Sequence, residues 1–137
     1  FNPGIFEAVE RQGAVVVTDD LCVGTRYYWG NVQEGEDPLT AICDRYMART
    51  VCPNKHPADG RYRQILDFVE EFDVQGVLII HQKFCDPHEF DRPHIEAMLR
   101  EHRIPTAFIE VETTFSPAHI AGPVSALRDI IETSKVS

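Results

Sequence analysis

The sequence predicts an α/β domain in three layers, a parallel sheet with helices on both faces. Three observations carry this. Short, near-continuous apolar runs, Ala14 to Thr18, Gly76 to His81 and Ala107 to Val111, read as strands buried on both sides. Between them lie longer stretches whose apolar residues recur at helical spacing. Helix-start and helix-stop signals then separate the two kinds of segment in the order α-β-α-α-β-α-β-α. Strands alternating with helices in this way give a Rossmann- or flavodoxin-like sheet.

Taken in order, Asn2-Pro3-Gly4 is a cap with proline at the first helical position, and Ile5, Phe6 and Val9 form one apolar face. Gly13 stops that helix before the first predicted strand. Asp19 to Glu36 is a long polar connection carrying Cys22, Arg26, Tyr27, Tyr28 and Trp29, and connections of that length are usually functional or disordered. Asp37-Pro38 opens a helix expected to bury Leu39, Ile42, Tyr46 and Met47, with Cys43 in the core beside Ile42. Val51 to Pro57 breaks it. Asp59-Gly60 starts a third helix facing inward with Ile65, Leu66, Val69 and Phe72. After the second strand, Asp86-Pro87 reads as cap plus first-turn proline, and Pro93 is expected to restart that helix on Ile95, Met98 and Leu99. The final helix begins near Ser116-Pro117, is expected to break at Gly122-Pro123, and resumes through Val124, Leu127, Ile130 and Ile131.

The chain has 137 residues, 43% hydrophobic and 26% charged, which suits one globular domain over residues 1–137. It opens on Phe1, so a domain cut from a longer subunit is expected. A net charge of −9 argues against a nucleic-acid backbone or an anionic membrane as partner. No apolar run reaches the roughly 20 residues of a membrane helix, and a cytoplasmic protein is expected. An anionic ligand would need local cations, for which Arg26, Lys55, Arg61, Arg63 and Lys83 are the candidates. The cysteines, Cys22, Cys43, Cys52 and Cys85, show no C-x-x-C spacing, which disfavours zinc ribbons and thioredoxin-type redox chemistry. Disulfides are not expected in a core of this size.

In an open parallel sheet the ligand lies at the carboxyl ends of the strands. That edge carries Asp19-Asp20-Leu21-Cys22, then His81 to Cys85, then Glu112-Thr113-Thr114. Cys85 is its sharpest feature, because a helix N-terminus favours the thiolate, the form that binds metal or attacks electrophiles. Lys83 sits two residues before it. Cys22 follows the first strand in the same topological position, and Cys52 lies in the proline-rich loop. His81 ends the second strand and could donate a proton or hold a carbonyl; a structural histidine is the alternative. His88 lies one turn from Cys85, while His94 and His102 read as solvated. Arg26, Tyr27 and Trp29 could stack on a ligand ring or bind phosphate, or equally pack against another domain. There is no G-x-G-x-x-G, Walker loop or G-x-S-x-G.

The run Gly13 to Gly24, Asp37-Pro38-Leu39, Cys52-Pro53, Gly76 to Ile79 leading into Lys83-Phe84-Cys85-Asp86, and Ile104-Pro105 together resemble the C-terminal α/β domain of the 2-hydroxyacyl-CoA dehydratase and benzoyl-CoA reductase family. The 2-hydroxyglutaryl-CoA dehydratase D-component is of this type. The resemblance implies a [4Fe–4S] cluster bound by cysteines, with Cys85 as the best match to a ligand and Cys22 and Cys52 as further candidates. It implies an acyl-CoA substrate, a second homologous catalytic subunit, and an ATP-hydrolysing iron–sulfur activator that supplies an electron for anaerobic radical chemistry. Dehydration of a 2-hydroxyacyl-CoA and reduction of an aromatic acyl-CoA are both implied. The family's threonine–arginine pair before the last helix has only an approximate match, Arg128. The rivals are a double-cubane-type ATP-dependent reductase of another small molecule, a non-catalytic flavodoxin-like binding module, and a thiol enzyme using Cys85 with His81 or His88 as base.

Overall fold

A computed structural model describes residues 4–35, 37–49, 52–112 and 116–134. The Asn2-Pro3 part of the first cap and Thr113-Thr114 lie outside the described residues. The elements are α1 (Gly4–Glu10), α2 (Thr25–Tyr28), α3 (Pro38–Ala48), α4 (Asp59–Glu71), β1 (Val77–Gln82), α5 (Asp86–Glu101), β2 (Thr106–Val111) and α6 (Pro117–Ser134).

The two strands run parallel, in register from Val77 opposite Thr106 to Gln82 opposite Val111. Alternation along a strand sends successive side chains to opposite faces. Leu78 and Ile80 share one face with Ile109 and Val111, where α1 and α6 cover them with Ile5, Ala8, Val9, Ile120 and Val124. The other face carries Ile79, His81, Phe108 and Glu110. It meets α5, whose Arg92 guanidinium lies over the Phe108 ring at 4.3 Å and whose Glu89 lies 3.5 Å from His81. Helices therefore cover both faces of a parallel sheet, as the apolar runs predicted.

The ladder among the described residues has two strands, where the sequence suggested three. Ala14 to Thr18 makes no ladder. Ala14 and Val16 pack against the core while Val15, 76% exposed, and Val17 face outward, so the segment is half-buried rather than buried on both sides. A tie to α6 lies two residues upstream. Arg128 of α6 donates to the Gln12 carbonyl at 2.7 Å, which ties the chain leaving α1 to α6 rather than to a sheet edge.

Three further expectations need correction. Cys43 is exposed, and so are Leu39, Ile42, Tyr46 and Met47; the face of α3 that does turn inward is marked by Ala41. Both α5 and α6 run unbroken through their internal prolines, Pro93 and Pro123. Proline removes one N–H from the helix ladder. Leu99 in α5 and Ile120 in α6 are both completely buried, so each helix is anchored by packing.

Candidate functional site

The carboxyl end of β1 turns directly into α5, and that turn builds the centre of the site. Cys85, and not Asp86, is the N-cap of α5. Its carbonyl accepts the first helical N–H groups, from His88 at 3.1 Å and Glu89 at 3.2 Å. His81 Nε2 lies 3.2 Å from the same oxygen. The backbone of Cys85 is thus held from both sides, with its half-buried thiol at the positive end of a 16-residue helix.

His81 is buried, stacked on Phe108, with Nδ1 between Glu89 at 3.5 Å and Glu110 at 3.7 Å. It supports the Cys85 turn in this arrangement. Lys83 reaches across to Glu112 at 2.6 Å, and the paired carboxylate raises the ammonium's pKa.

The long connection folds over this helix start from the other side. Asp19 organises it: Oδ1 accepts the N–H groups of Leu21 and Thr25, each at 2.9 Å, and Oδ2 accepts the Thr25 hydroxyl at 3.0 Å. Arg26 is buried and donates to both carboxylate oxygens of Asp20 and to the Asp20 carbonyl. Burial opposes the charge on Arg26, but the Asp20 hydrogen bonds and charge outweigh it and keep the guanidinium protonated. Arg26 also lies 3.8 Å from Cys22 Sγ, and His88 Nε2 lies 3.6 Å from the same sulfur. Burial, and then the nearby Arg26 charge, lower the His88 pKa, so its imidazole is held neutral. Cys22, Arg26, Asp20 and His88 accordingly form one cluster.

Beside it sits a pair that sequence reading missed. Arg61, 1% exposed, donates to both oxygens of Asp91, through Nε at 2.6 Å and Nη2 at 2.7 Å. The Tyr62 hydroxyl donates to Asp91 at 2.8 Å. Arg61 also reaches the Cys52 carbonyl at 3.5 Å. Asp91 lies on the stripe that continues through Ile95 and Leu99, and a carboxylate on an apolar stripe is the signal that a buried cation faces it. Removing the Tyr62 hydroxyl as Tyr62→Phe is expected to cost about 1.5 kcal/mol in denaturant unfolding, the value of a hydrogen bond to a charged acceptor.

The aromatic run divides. Trp29 packs edge-on against Phe68 at 5.2 Å and Phe72 at 5.9 Å, and Tyr27 meets Tyr46 at 6.3 Å. Tyr28 and Trp29 line an open groove of about 410 Å³ with Phe6, Val16 and Phe72. Neither Arg26 nor Arg61 is free to meet a phosphate, because each is spent on an internal carboxylate.

Among the described residues, no three His, Cys, Asp or Glu side chains converge on a point that could hold a metal ion. Cys22, Cys52 and Cys85 therefore do not form a complete cluster-ligand set within this chain. No described helix is long and apolar enough to cross a membrane.

A parallel sheet with a cysteine at the N-cap of the helix that leaves its carboxyl edge defines an α/β domain, and in such folds ligands lie at that edge. The chain belongs to the family described as 2-hydroxyglutaryl-CoA dehydratase, D-component, whose pattern it matches over residues 1–121. It is 25% identical over 108 residues to the (R)-phenyllactyl-CoA dehydratase beta subunit of Clostridium sporogenes, covering 79% of this chain and 29% of that protein. It is 24% identical over 115 residues to the beta subunit of (R)-2-hydroxyglutaryl-CoA dehydratase of Acidaminococcus fermentans, covering 80% and 30%. Against a benzoyl-CoA reductase subunit of Thauera aromatica it is 23% identical over 106 residues, covering 74% and 27%. The chain thus spans under a third of the length of these relatives.

Proposed function

We propose that this chain is the C-terminal domain of a catalytic subunit acting on an acyl-CoA thioester, by 2-hydroxyacyl dehydration or aromatic ring reduction. In this reading Cys85 supplies one thiolate to a [4Fe–4S] cluster whose ligand set is completed outside the described residues. The subunit pairs with a homologous one and receives its electron from an ATP-hydrolysing iron–sulfur activator. The observation that carries the reading is the Cys85 turn. Its carbonyl is held by His81 and two helical amides, and its half-buried thiol sits at the helix N-terminus beside the carboxyl edge of the sheet. This chain's own part is to fix that thiol and to shape the edge around it.

The test is iron and acid-labile sulfide, with electron paramagnetic resonance, on the full-length protein purified without oxygen beside its Cys85→Ala variant. We expect the parent to hold a cluster and the variant to lose it while melting at a similar temperature. An iron-free parent would overturn the reading.

One observation favours a second reading. Cys22 lies beside a neutral imidazole, the arrangement of a thiol nucleophile and its base. An iron-free, active protein that is inactivated by Cys22→Ala and by His88→Ala, but not by Cys85→Ala, would decide for it.

A further inference from the structure

Among the described residues, three that are not glycine adopt a left-handed φ: Asp73 at 48°, Phe84 at 70° and Arg103 at 61°. Two of them close helices. After α4, Asp73 N–H bonds Glu70 O and Val74 N–H bonds Val69 O; after α5, Arg103 N–H bonds Arg100 O and Ile104 N–H bonds Leu99 O. This paired pattern is the Schellman cap, which requires a left-handed residue at that place. Phe84 closes no helix. It is the third residue of the turn sealed by Cys85 N–H on Gln82 O at 3.0 Å, a position where a left-handed φ calls for glycine. A bulky aromatic residue there is strained, and strain of this kind persists where the side chain is needed for something other than folding.

The ring gains no packing in return, for Phe84 is 88% exposed. Phe90, early in α5, is 80% exposed. The two cations nearby are both committed, Lys83 to Glu112 and Arg92 to Glu89 and Glu96. The Lys83 ammonium lies 5.6 Å from the Phe84 ring. Asp86 lies in the first turn of α5, Glu110 lies opposite His81, and Arg26 on the loop side is spent on Asp20. The edge beside Cys85 is thus apolar with an acidic surround and no uncommitted cation among these groups.

We propose that Phe84 is held in its left-handed turn to present its ring to the acyl group of the substrate, and that this acyl group is apolar and carries no carboxylate. The inference rests on the acyl-thioester reading above. A carboxylated acyl group placed here would lose water against a phenyl ring, find no free cation and meet acidic neighbours. An aryl or alkyl group would bury its surface against the ring.

The test uses the full-length protein and its Phe84→Gly variant, with benzoyl-CoA and glutaryl-CoA as probes in binding calorimetry, beside thermal melting of both proteins. The parent is expected to bind benzoyl-CoA about tenfold more tightly than glutaryl-CoA. Phe84→Gly is expected to abolish that preference while melting at a higher temperature, because glycine adopts the turn without strain. A variant that melts lower, or that keeps the parent's preference, would overturn the proposal, as would a parent that prefers glutaryl-CoA. Failure of both thioesters to bind would overturn the acyl-thioester reading and this inference with it, whereas equal binding of both by the parent would overturn this one alone.

Discussion

Replacing Arg61 with alanine is expected to cost about 3–5 kcal/mol of stability, because it leaves the Asp91 carboxylate buried without its charge partner. Asp91 is 6% exposed and accepts from Arg61 Nε, Arg61 Nη2 and Tyr62 Oη, so two of these three donors go with Arg61. The pair also gives the protein an acid dependence. Burial pushes the Asp91 carboxyl up, but the hydrogen bonds from Arg61 and Tyr62, with the Arg61 charge, outweigh it and hold the carboxyl below its ordinary value. A depressed carboxyl contributes stability above its unfolded pKa of about 3.9, and that contribution is lost as pH falls through the lower folded value. Urea unfolding of the parent, Arg61→Ala and the double variant Arg61→Met with Asp91→Leu, between neutral pH and pH 3, would check this. The double variant should recover most of the loss and show a flatter acid limb. A single variant within about 1 kcal/mol of the parent at neutral pH would show that the pair contributes no more than a surface salt bridge.

Gly24→Ala is the second large effect. A Cβ at Gly24 would fall 2.0 Å from Asp19 Oδ1 and 2.8 Å from Asp19 Cγ. That carboxylate makes the three bonds that shape the connection, so it cannot move aside without losing them. At roughly 1 kcal/mol or more for each, the expected cost is about 2–4 kcal/mol, paired with loss of whatever Cys22 and Arg26 do. The sheet and α5 do not depend on Asp19. The variant should therefore keep its secondary structure by circular dichroism while the Cys22 thiol becomes faster to alkylate. An unchanged alkylation rate would mean that the loop tolerates a side chain there.

Local signals in the sequence were sufficient for β1, α5 and β2. Unbroken apolar runs and an Asp-Pro helix start identify them without knowledge of the rest of the chain, and the placement of Cys85 at the sheet's carboxyl edge follows. The failures are nonlocal. Whether α3 buries Ile42 and Cys43 depends on what stands opposite it, and no periodicity states that. Ala14 to Thr18 has the composition of a strand, but a strand also needs a partner in reach, and among the described residues this segment has no ladder partner. Arg61 reads from sequence as a candidate cation for an anionic ligand because its partner lies 30 residues away, on a helix face where Asp91 is the odd residue among apolar neighbours. Phe84 was legible only as part of a motif, since the sequence gives no hint of its φ.

The bond between Gln12 and Arg128 spans 116 residues and fastens the two ends of the described chain to each other. β1, α5, β2 and α6 follow one another directly, and each can dock on its predecessor as it forms. α1 has no such neighbour and must close a loop across nearly the whole chain, although the entropic penalty of closure rises by only about 0.6 kcal/mol for each doubling of length. Assembly order follows from this asymmetry. Cys85 is set in place by local contacts at the β1–α5 junction, whereas Cys22 meets His88 across 66 residues of chain. The two thiols of the candidate site therefore rest on contacts of very different sequence separation, and contact order predicts that the Cys85 turn forms before the Cys22 cluster is complete.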